Sequence, residues 1–538
     1  MRRGFEIMTW IVLGEQNGLI KLVSSSKVDG MLPIGSFLTV TSNNHNFVLR
    51  VEKSYQEVPY EPSPLIIDMD LSPMKQDLKS QNIVLAFRVK DLEPREDGLV
   101  NFIEPLSKAE RSSSTDIDKS LDQINTVGPK VFVSTVYSST NKILKDNEGK
   151  MVSIKIPADA FYHQMMVTGK TGSGKTAAMK YLGQYFTEEL EGCVLAVNVK
   201  DTDFLRMNIP TITRTNSVIS EWDNLNRKPH GVENFSVFYP AASKVPVSET
   251  QNSKVYQKVT LDIKTIEPES FTGLLENISD AAAQNLPNIF RYWRDEQYNR
   301  SPKKITFKEF TEFITLGRQG RTYPAKNSKG EIIENIPIHP GTIENIIRNL
   351  NYASEFFDNE GAKSLTEEDI LQPGKMSIID IADVNHGFAF GSILLRDLLH
   401  RIVEAKKAKK FTTPILIIID EVKQFYATDS SREALGDLDT ISRTGRSNKI
   451  GVILASQNPS DLPAGLSNVI NTKFMFRTED VQGLSKLIPL GKEEMANLEK
   501  GYCAAVIHGV SQVRTIKFPL PYGGIIEDIG DQNGQQRT

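Results

Sequence analysis

The feature that most constrains this chain is a glycine-rich octet at 169–176, Gly-Lys-Thr-Gly-Ser-Gly-Lys-Thr. It directly follows an apolar strand-like run, Met165–Thr168, and precedes a helical pattern at 177–186. Glycines let such a loop curl so that its N–H groups face phosphate oxygens, while Lys175 adds a positive charge and the Thr176 hydroxyl can ligate Mg²⁺. The order strand, loop, helix predicts an α/β nucleotide-binding domain, and the alternative is an ordinary glycine-rich turn. The candidate nucleotide-binding residues are Gly169, Lys170, Thr171, Gly172, Ser173, Gly174, Lys175, Thr176 and Ala177.

Two acids end a second apolar run further along the chain. Residues 414–419 are all apolar, and Asp420 and Glu421 follow them directly. Acids at the carboxyl end of a buried strand lie where a parallel sheet presents its ligands. We expect Asp420 to hold Mg²⁺ together with Thr176, and Glu421 to polarise the attacking water, which favours hydrolysis over nucleotide binding alone. The alternative is a strand end that faces solvent.

A glutamine and two arginines flank the next strand. Gln457 stands at its end, where its amide can reach the γ-phosphate or the water, so we predict it to be a sensor of hydrolysis. Arg443 and Arg446 precede the strand and so lie away from the nucleotide of their own chain. Their natural anionic target is the site of a neighbouring subunit, which predicts a ring; the alternative is a solvated basic loop. The candidate catalytic residues are therefore Lys175, Glu421, Gln457, Arg446 and Arg443.

The pattern of apolar and polar residues changes at about residue 150. Before residue 105, five short runs rich in β-branched and aromatic residues alternate with turn signals, which predicts a small barrel. The polar stretch Lys108–Lys119 reads as a linker or mobile loop. After residue 150, buried strands alternate with helices, as in a parallel sheet covered on both faces. Residues 266–361 lack strong strand signals and are predicted to form a helical insertion.

Composition limits the class of protein. The 538 residues carry 63 basic and 67 acidic side chains, so contact with nucleic acid requires a local patch. The two cysteines, Cys193 and Cys503, lie in apolar runs without metal-ligand spacing and read as buried thiols of a reducing compartment. No apolar run approaches the length of a membrane span, so we expect a cytoplasmic protein without a membrane partner.

Cations and aromatic residues are interleaved in the predicted helical insertion. Such a pattern can track a phosphate backbone, although charge runs on helices are usually solvated faces. The cations are Arg291, Arg294, Arg300, Lys303, Lys304, Lys308, Arg318, Arg321, Lys326 and Lys329, with Tyr292, Trp293 and Tyr298 among them.

The order of these motifs resembles the HerA branch of the FtsK–HerA hexameric ATPases. The order comprises the phosphate loop, the Asp-Glu strand, an R-x-G-R loop at 443–446 and a Ser-Gln-Asn-Pro strand end, together with His163, Leu371–Gly374 and Leu498–Gly501. The segment 197–205 is similar to one that contacts the site in some bacterial members, although it departs from the Asp-Pro-His-Gly-Glu pattern of many relatives, so the role of Asp203 stays open. The amino-acid sequence of this segment favours a bacterial member associated with antiphage defence.

The resemblance implies an N-terminal barrel of the HAS-barrel type before a RecA-like P-loop core. It further implies an ATP- and Mg²⁺-dependent translocase or helicase on double-stranded DNA, a homo-hexamer, and a nuclease partner similar to NurA, a sirtuin-like effector or another effector. By the same resemblance, Lys175 and Thr176 bind phosphate and Mg²⁺, and Asp420 and Glu421 are the metal and water-activating acids. Gln457 is then the sensor, and Arg446 the best candidate for an arginine supplied to a neighbour.

The predicted architecture is an α/β chain in six parts. These are a barrel (1–105), a linker with strands leading into the core (106–150), the first part of the core (151–265), the helical insertion (266–361), the second part of the core (362–522) and a flexible tail (523–538). Three other functions stay open: a conjugation or secretion ATPase, a scaffold ATPase that activates an effector without translocating, and, last, a small-molecule kinase. The ring size, the translocation polarity, the preferred DNA end, the effector and the choice between repair and defence are open at this point.

Overall fold

A computed structural model shows the chain as a closed β-barrel followed by a large mixed sheet with helices on both faces, so the predicted fold class is confirmed. The structure describes residues 9–24, 31–57, 81–137, 140–200, 204–244, 254–274, 280–301, 305–317, 319–320, 322–382, 387–423, 445–462, 470–479 and 490–527.

Short antiparallel strands close the barrel within the described residues. They are β1 (Trp10–Gln16), β2 (Leu19–Ser24), β3 (Phe37–Ser42), β4 (His45–Glu57), β5 (Gln81–Asp91) and β6 (Lys108–Arg111), in the spatial order β1, β2, β5, β4, β3, β6. Alternate residues such as Trp10, Val12 and Leu22 point into the barrel and are fully buried, as the period of two in a strand requires. Asn17 and Gly18, both at positive φ, make the tight turn between β1 and β2.

The stretch Lys108–Lys119 is not a linker or loop, so that prediction was wrong. Its first part is β6, which pairs with both β1 and β3 and thereby removes the two open edges of the barrel. Its second part is the helix α1 (Ser114–Ser120), where the Ser113 hydroxyl caps the first turn by accepting a hydrogen bond from the Asp116 N–H. Ser113, the middle one of three consecutive serines, is therefore the N-cap of this helix.

The large sheet contains β7 to β13 and β16 to β22. Their bounds are β7 (Lys130–Tyr137), β8 (Thr140–Ile143), β9 (Ser153–Lys155), β10 (Met165–Thr168), β11 (Cys193–Asn198), β12 (Asn234–Pro240), β13 (Tyr256–Thr260), β16 (Lys363–Ser364), β17 (Lys375–Asp380), β18 (Ile415–Ile419), β19 (Ile450–Ser456), β20 (Thr472–Phe476), β21 (Tyr502–Val506) and β22 (Thr515–Lys517). The order is β16, β13, β12, β17, β11, β18, β19, β10, β20, β21, β22, β7, β8, with β9 beside β7. Neighbours from β16 to β20 are parallel, so their carboxyl ends share one edge.

Helices cover both faces of this sheet. Besides α1 they are α2 (Lys175–Glu188), α3 (Asn216–Asn224), α4 (Asp280–Arg300), α5 (Phe307–Gly317), α6 (Pro340–Ala353), α7 (Glu367–Ile370), α8 (Gly387–Lys407) and α9 (Lys492–Ala496), with 3₁₀ turns at Ala158–His163, Pro268–Leu274, Ser354–Phe356 and Pro459–Asp461. The α2 residues Met179, Leu182 and Phe186 join the core on one face, while Leu398 and Ile402 of α8 join the core on the other. The central strands are buried on both faces, which explains their continuous apolar sequences.

The segment 266–361 differs from the helical insertion that its sequence predicts. Three long helices are present, but β14 (Thr322–Lys326) and β15 (Ile332–Pro337) form an antiparallel hairpin within it. Its buried residues, including Phe290 and Phe310, belong to the same apolar cluster as α8 and one face of the large sheet. Tertiary packing therefore makes this segment part of the core rather than a separate unit.

Two further expectations concern cysteines and membranes. Cys193 and Cys503 are free thiols and are buried, as predicted, and burial raises the pKa of Cys193 to about 12. Among the described helices, none has both the length and the apolar character that crossing a bilayer demands.

Candidate nucleotide-hydrolysis site

The phosphate loop joins the carboxyl end of β10 to the start of α2. Gly174 has a φ of 111°, and a Cβ there would lie 2.8 Å from the backbone nitrogen of Gly501, so only glycine fits. The Lys175 ammonium is buried and donates to the carbonyl oxygens of Gly169, at 2.5 Å, and Lys170, at 3.2 Å. The loop thus forms a closed cradle with its lysine folded against it.

Two turns from distant parts of the sequence brace this loop. The Gly501 N–H donates to the carbonyl of Ser173 at 2.9 Å, and the Lys170 N–H donates to the carbonyl of Arg477 at 2.9 Å. Gly501 in turn accepts from the Phe518 N–H at 3.0 Å, which ties the loop to the segment beside β22. In the sequence, Leu498–Gly501 is notable only through the HerA resemblance, whereas the structure gives this turn a physical task.

The two acids lie at the end of β18, and both are buried. The Asp420 carboxylate accepts from the Glu421 N–H at 2.8 Å. Burial raises the pKa of Asp420, and the neighbouring Glu421 charge adds to that rise, while this N–H bond and the charges of Lys200 and Lys175 oppose it. Glu421 has a φ of 47°, which is strained for a residue with a side chain and marks a position held for function.

Glu421 has two side-chain partners on neighbouring strands. Lys200, just beyond β11, forms an ion pair with its Oε1 atom, and the Gln457 amide donates to the same oxygen at 3.3 Å. Sheet order explains both contacts, because β18 lies between β11 and β19. The structure thus brings Gln457 to the predicted acid, and it adds Lys200, which sequence reasoning did not select.

Residues of the phosphate loop, the two acids and Lys200 line one cavity of about 480 Å³ together with the C-terminal segment. One side of the cavity is formed by Thr171, Gly172, Gly174, Lys175, Thr176 and Ala177, and another by the acids Asp420 and Glu421 with Lys200 beside them. Leu520 and the residues 524–527 form an opposite wall that includes Ile525 and Ile526. A mixed polar and apolar cavity of this size suits a nucleotide.

The first residues of the predicted flexible tail belong to this wall. The Gly523 N–H donates to the Gln184 side chain at 3.1 Å, and the buried Lys180 ammonium donates to the Gly524 carbonyl at 2.8 Å. Residues 523–527 are therefore held by α2, and the prediction of a free tail was wrong for them because the helix supplies the missing hydrogen-bond partners. Residues 528–538 lie outside the described residues.

The polar groups of the cavity fit a triphosphate with Mg²⁺. Thr176 offers a hydroxyl oxygen and Asp420 a carboxylate oxygen, which are ligand types that Mg²⁺ prefers. Ser173 Oγ, inside the loop, is buried and has no hydrogen-bond partner among the described residues, as expected of a group that serves a ligand.

Arg446 lies at the opposite edge of the sheet from this cavity. It belongs to a single turn of helix at 445–448, just before β19, and its side chain is exposed. Because β19 and β10 are parallel, the start of β19 is remote from the phosphate loop. Burial lowers the pKa of His163, and the charges of His508 and Arg446 lower it further, so these three side chains are neighbours. Arg443 lies outside the described residues.

Several predicted DNA-contacting cations are instead used in internal packing. Arg291 forms an ion pair with Glu269, and Lys326 pairs with Asp295 at 3.0 Å. Arg294 donates to the Ile266 carbonyl at 2.8 Å, and Trp293 is fully buried. The structure gives these residues a structural role. Lys303, Lys304, Arg318 and Arg321 lie outside the described residues.

The fold and the site together define a P-loop ATPase core. Residues 142–388 match the family model described as the central domain of the helicase HerA. This match confirms the predicted resemblance to HerA ATPases over residues 142–388.

The similarity to individual proteins is lower. The DNA double-strand break repair helicase HerA of Sulfurisphaera tokodaii is 19% identical over 387 residues, which cover 71% of this chain and 67% of that protein. VirB4 of Thermoanaerobacter pseudethanolicus has a TM-score of 0.45 at 12% identity, covering 74% of this chain and 97% of that one. The bacterial conjugative coupling protein TrwB has a TM-score of 0.43 at 13% identity, covering 68% and 87%. The resemblance to HerA rests on the family model and on the motifs.

Proposed function

We propose that the protein is a HerA-type motor that hydrolyses ATP between subunits of a homo-hexamer and moves double-stranded DNA for an effector. The position of Arg446 carries this proposal. Its side chain is exposed at the edge opposite the chain's own phosphate loop, and within the described residues no carboxylate pairs with it. An arginine so placed can complete the ATP site of the next subunit in a ring.

Within one site, each described side chain has a distinct task. Lys175 leaves the carbonyls of its own loop to bind β- and γ-phosphate oxygens, as the lysine of such loops does. Glu421 accepts a proton from the attacking water, and Gln457, which contacts it, orients that water. Thr176 and Asp420 would hold Mg²⁺, which neutralises charge on the phosphate oxygens.

The subunit-interface mechanism has a direct test by complementation. Arg446→Ala lacks the lent arginine, and Glu421→Gln lacks the base, so each variant alone should be almost inactive. In mixed rings some interfaces combine an intact Glu421 from one variant with an intact Arg446 from the other, so mixing should restore ATP hydrolysis. Arg348→Ala, at an exposed arginine of α6, is the matched control and should be fully active. No recovery on mixing, with both variants assembled, would contradict the mechanism.

Native mass spectrometry with and without ATP measures the number of subunits in the assembly. A protein that stays monomeric in all nucleotide states while hydrolysing ATP at its full rate would refute the proposal.

DNA-stimulated turnover separates the remaining functions. A translocase should hydrolyse ATP faster with double-stranded DNA and should displace a bound obstacle from it. Stimulation by an effector protein but not by DNA would favour the scaffold ATPase. The effector itself, a nuclease, a sirtuin-like enzyme or another type, can be sought among the products of neighbouring genes and tested by co-purification. A conjugation ATPase would instead show activity tied to a secretion complex.

A further inference from the structure

The acid predicted to activate water is already engaged by a cation. The Glu421 side chain is 8% exposed, and its Oε1 atom forms an ion pair with Lys200, whose side chain is 41% exposed. Both residues line the cavity that contains Lys175 and Thr176. The same oxygen also accepts from the Gln457 amide at 3.3 Å, so two donors already occupy the atom that would bind the attacking water.

We propose that Lys200 is a latch that responds to the γ-phosphate. With the cavity free of ATP, its ammonium holds Glu421; when ATP binds, the ammonium moves to the γ-phosphate, and Glu421 is free to accept the proton of the attacking water. This inference rests on the proposed role of Glu421 as the base. It assigns Lys200 as a positioning residue that couples hydrolysis to the presence of the third phosphate.

A buried polar contact holds the end of β11, two residues before Lys200. Asn198, at the end of β11, donates from its amide nitrogen to Asp380 at 2.7 Å and accepts from the Phe204 N–H at 3.1 Å. Asn198 and Asp380 are 1% and 4% exposed. This contact holds the start of the Lys200 segment against β17, so the lysine stem extends from a rigid base towards the cavity.

The side chain itself is suited to exchange partners. A lysine has a flexible four-carbon stem and a compact charge, so it can turn from one oxygen to another without moving the backbone. A terminal phosphate carries more negative charge than one carboxylate and competes well for the ammonium. Lys200 already faces the same cavity as the phosphate loop, so the exchange needs side-chain rotation only.

Glu421 keeps its orientation when the lysine leaves. Gln457 donates to the same carboxylate oxygen at 3.3 Å, and the Glu421 N–H is bound by Asp420 at 2.8 Å. These two contacts hold the strained backbone at Glu421 and its side chain near the position of the water. A merely structural ion pair would predict a loss of stability on removing Lys200 but no selective effect on the third phosphate.

The test measures the affinities of ATPγS, a slowly hydrolysed ATP analogue, and of ADP for the full chain by titration calorimetry. Glu421→Gln should bind ATPγS roughly fivefold more tightly than wild type, because the ion pair no longer competes for Lys200, and ADP affinity should not change. Lys200→Met should weaken ATPγS by roughly tenfold or more with little effect on ADP, because a charge-assisted bond to phosphate is lost. In the double variant, Glu421→Gln should have no effect on ATPγS affinity.

Two matched variants sharpen the result. Lys200→Arg keeps the positive charge and should restore most of the preference for ATPγS over ADP. Lys500→Met removes another lysine of the same cavity and should leave the effect of Glu421→Gln intact. Thermal melting of every variant checks folding, and Lys200→Gln replaces Lys200→Met if the latter unfolds.

Two outcomes would overturn the latch: equal weakening of ATPγS and ADP by Lys200→Met, or persistence of the Glu421→Gln effect without Lys200. Failure of the proposed function looks different, because the wild-type chain would then not bind ATPγS, or Glu421→Gln would hydrolyse ATP at the wild-type rate.

Discussion

The two edges of the parallel sheet differ in how complete they are within one chain. At the carboxyl edge, residues of the phosphate loop, Asp420, Glu421 and Lys200 line one cavity, and Gln457 contacts Glu421 beside it. At the amino edge, Arg446 is exposed beside two histidines and does not reach that cavity. This difference is what the proposed ring would require, because the amino edge of one subunit could then complete the ATP site at the carboxyl edge of the next.

The largest expected effect comes from removing the arginine at the amino edge, which tests whether this edge takes part in hydrolysis. Arg446→Ala should lower ATP turnover by about 10³-fold or more, the range known for an arginine lent to a phosphoryl-transfer site. Nucleotide affinity should change far less, because the phosphate loop is untouched. Steady-state ATPase assays with ATPγS titration measure both quantities. A variant with near wild-type turnover would show that the amino edge takes no part in hydrolysis.

The matching change at the carboxyl edge is Glu421→Gln. We expect turnover to fall by roughly 10²-fold to 10⁴-fold, since a general base contributes that much, while ATP binding is retained or strengthened. Glu493→Gln, at an exposed acid before the Gly501 turn, serves as the control and should keep its rate. Unchanged turnover in Glu421→Gln would mean that another group activates the water.

The two edges should also differ in how the stability of the fold depends on pH. The pKa of buried Asp420 is raised, so the folded state binds its proton more readily than the unfolded state does, and this carboxyl makes folding less favourable as pH rises through its folded pKa. Asp420→Asn should therefore melt at a higher temperature than wild type at neutral pH, and the difference should shrink in acid. Turnover should be lost. Calorimetric melts between acid and neutral pH test this, with exposed Asp223→Asn as the comparison. A lower melting temperature at neutral pH would contradict it.

The smallest expected effect comes from His163 at the amino edge, and its contribution to stability changes with pH in the opposite direction to that of Asp420. The pKa of His163 is lowered by burial and by His508 and Arg446, with Asp159 opposing them, so stability is lost as pH falls through its unfolded value near 6.5. His163→Gln should flatten the rise in stability between mildly acid and neutral pH by less than about 1 kcal/mol, because the side chain is only partly buried. Thermal melts over this pH range measure the effect.

His230 provides the matched control for this pH dependence. Its hydrogen bond to Glu188, at 2.9 Å, raises its pKa, so its contribution is present below the unfolded value and is lost as pH rises through the folded one. His230→Gln should therefore lose stability in mild acid rather than gain it. The same pH response in both histidine variants would argue against the assignment of opposite environments.

Much of the fold was predictable because its signals are local. Five barrel strands and the central strands of the parallel core were predicted from short apolar runs, whereas β6, β12 and β13 were not. The phosphate loop and the two acids were located from short motifs next to such runs. The errors fell where a neighbour in space decides the structure. Ser113 caps a helix in a stretch that was predicted to be a linker. Lys180 and Gln184 hold the first residues of the predicted free tail, 523–527. The predicted insertion, 266–361, packs into the common core.

The sequence by itself determined the chemistry of the loop and of Asp420 and Glu421, because adjacent residues on one strand or turn suffice to place those groups. Only the tertiary structure decided that Lys200 meets Glu421, that Gly501 braces the phosphate loop and that Ile525 and Ile526 wall the cavity. These partners are up to several hundred positions apart along the chain. The order of strands in the sheet, set by burial of both its faces, is what brings them within contact distance.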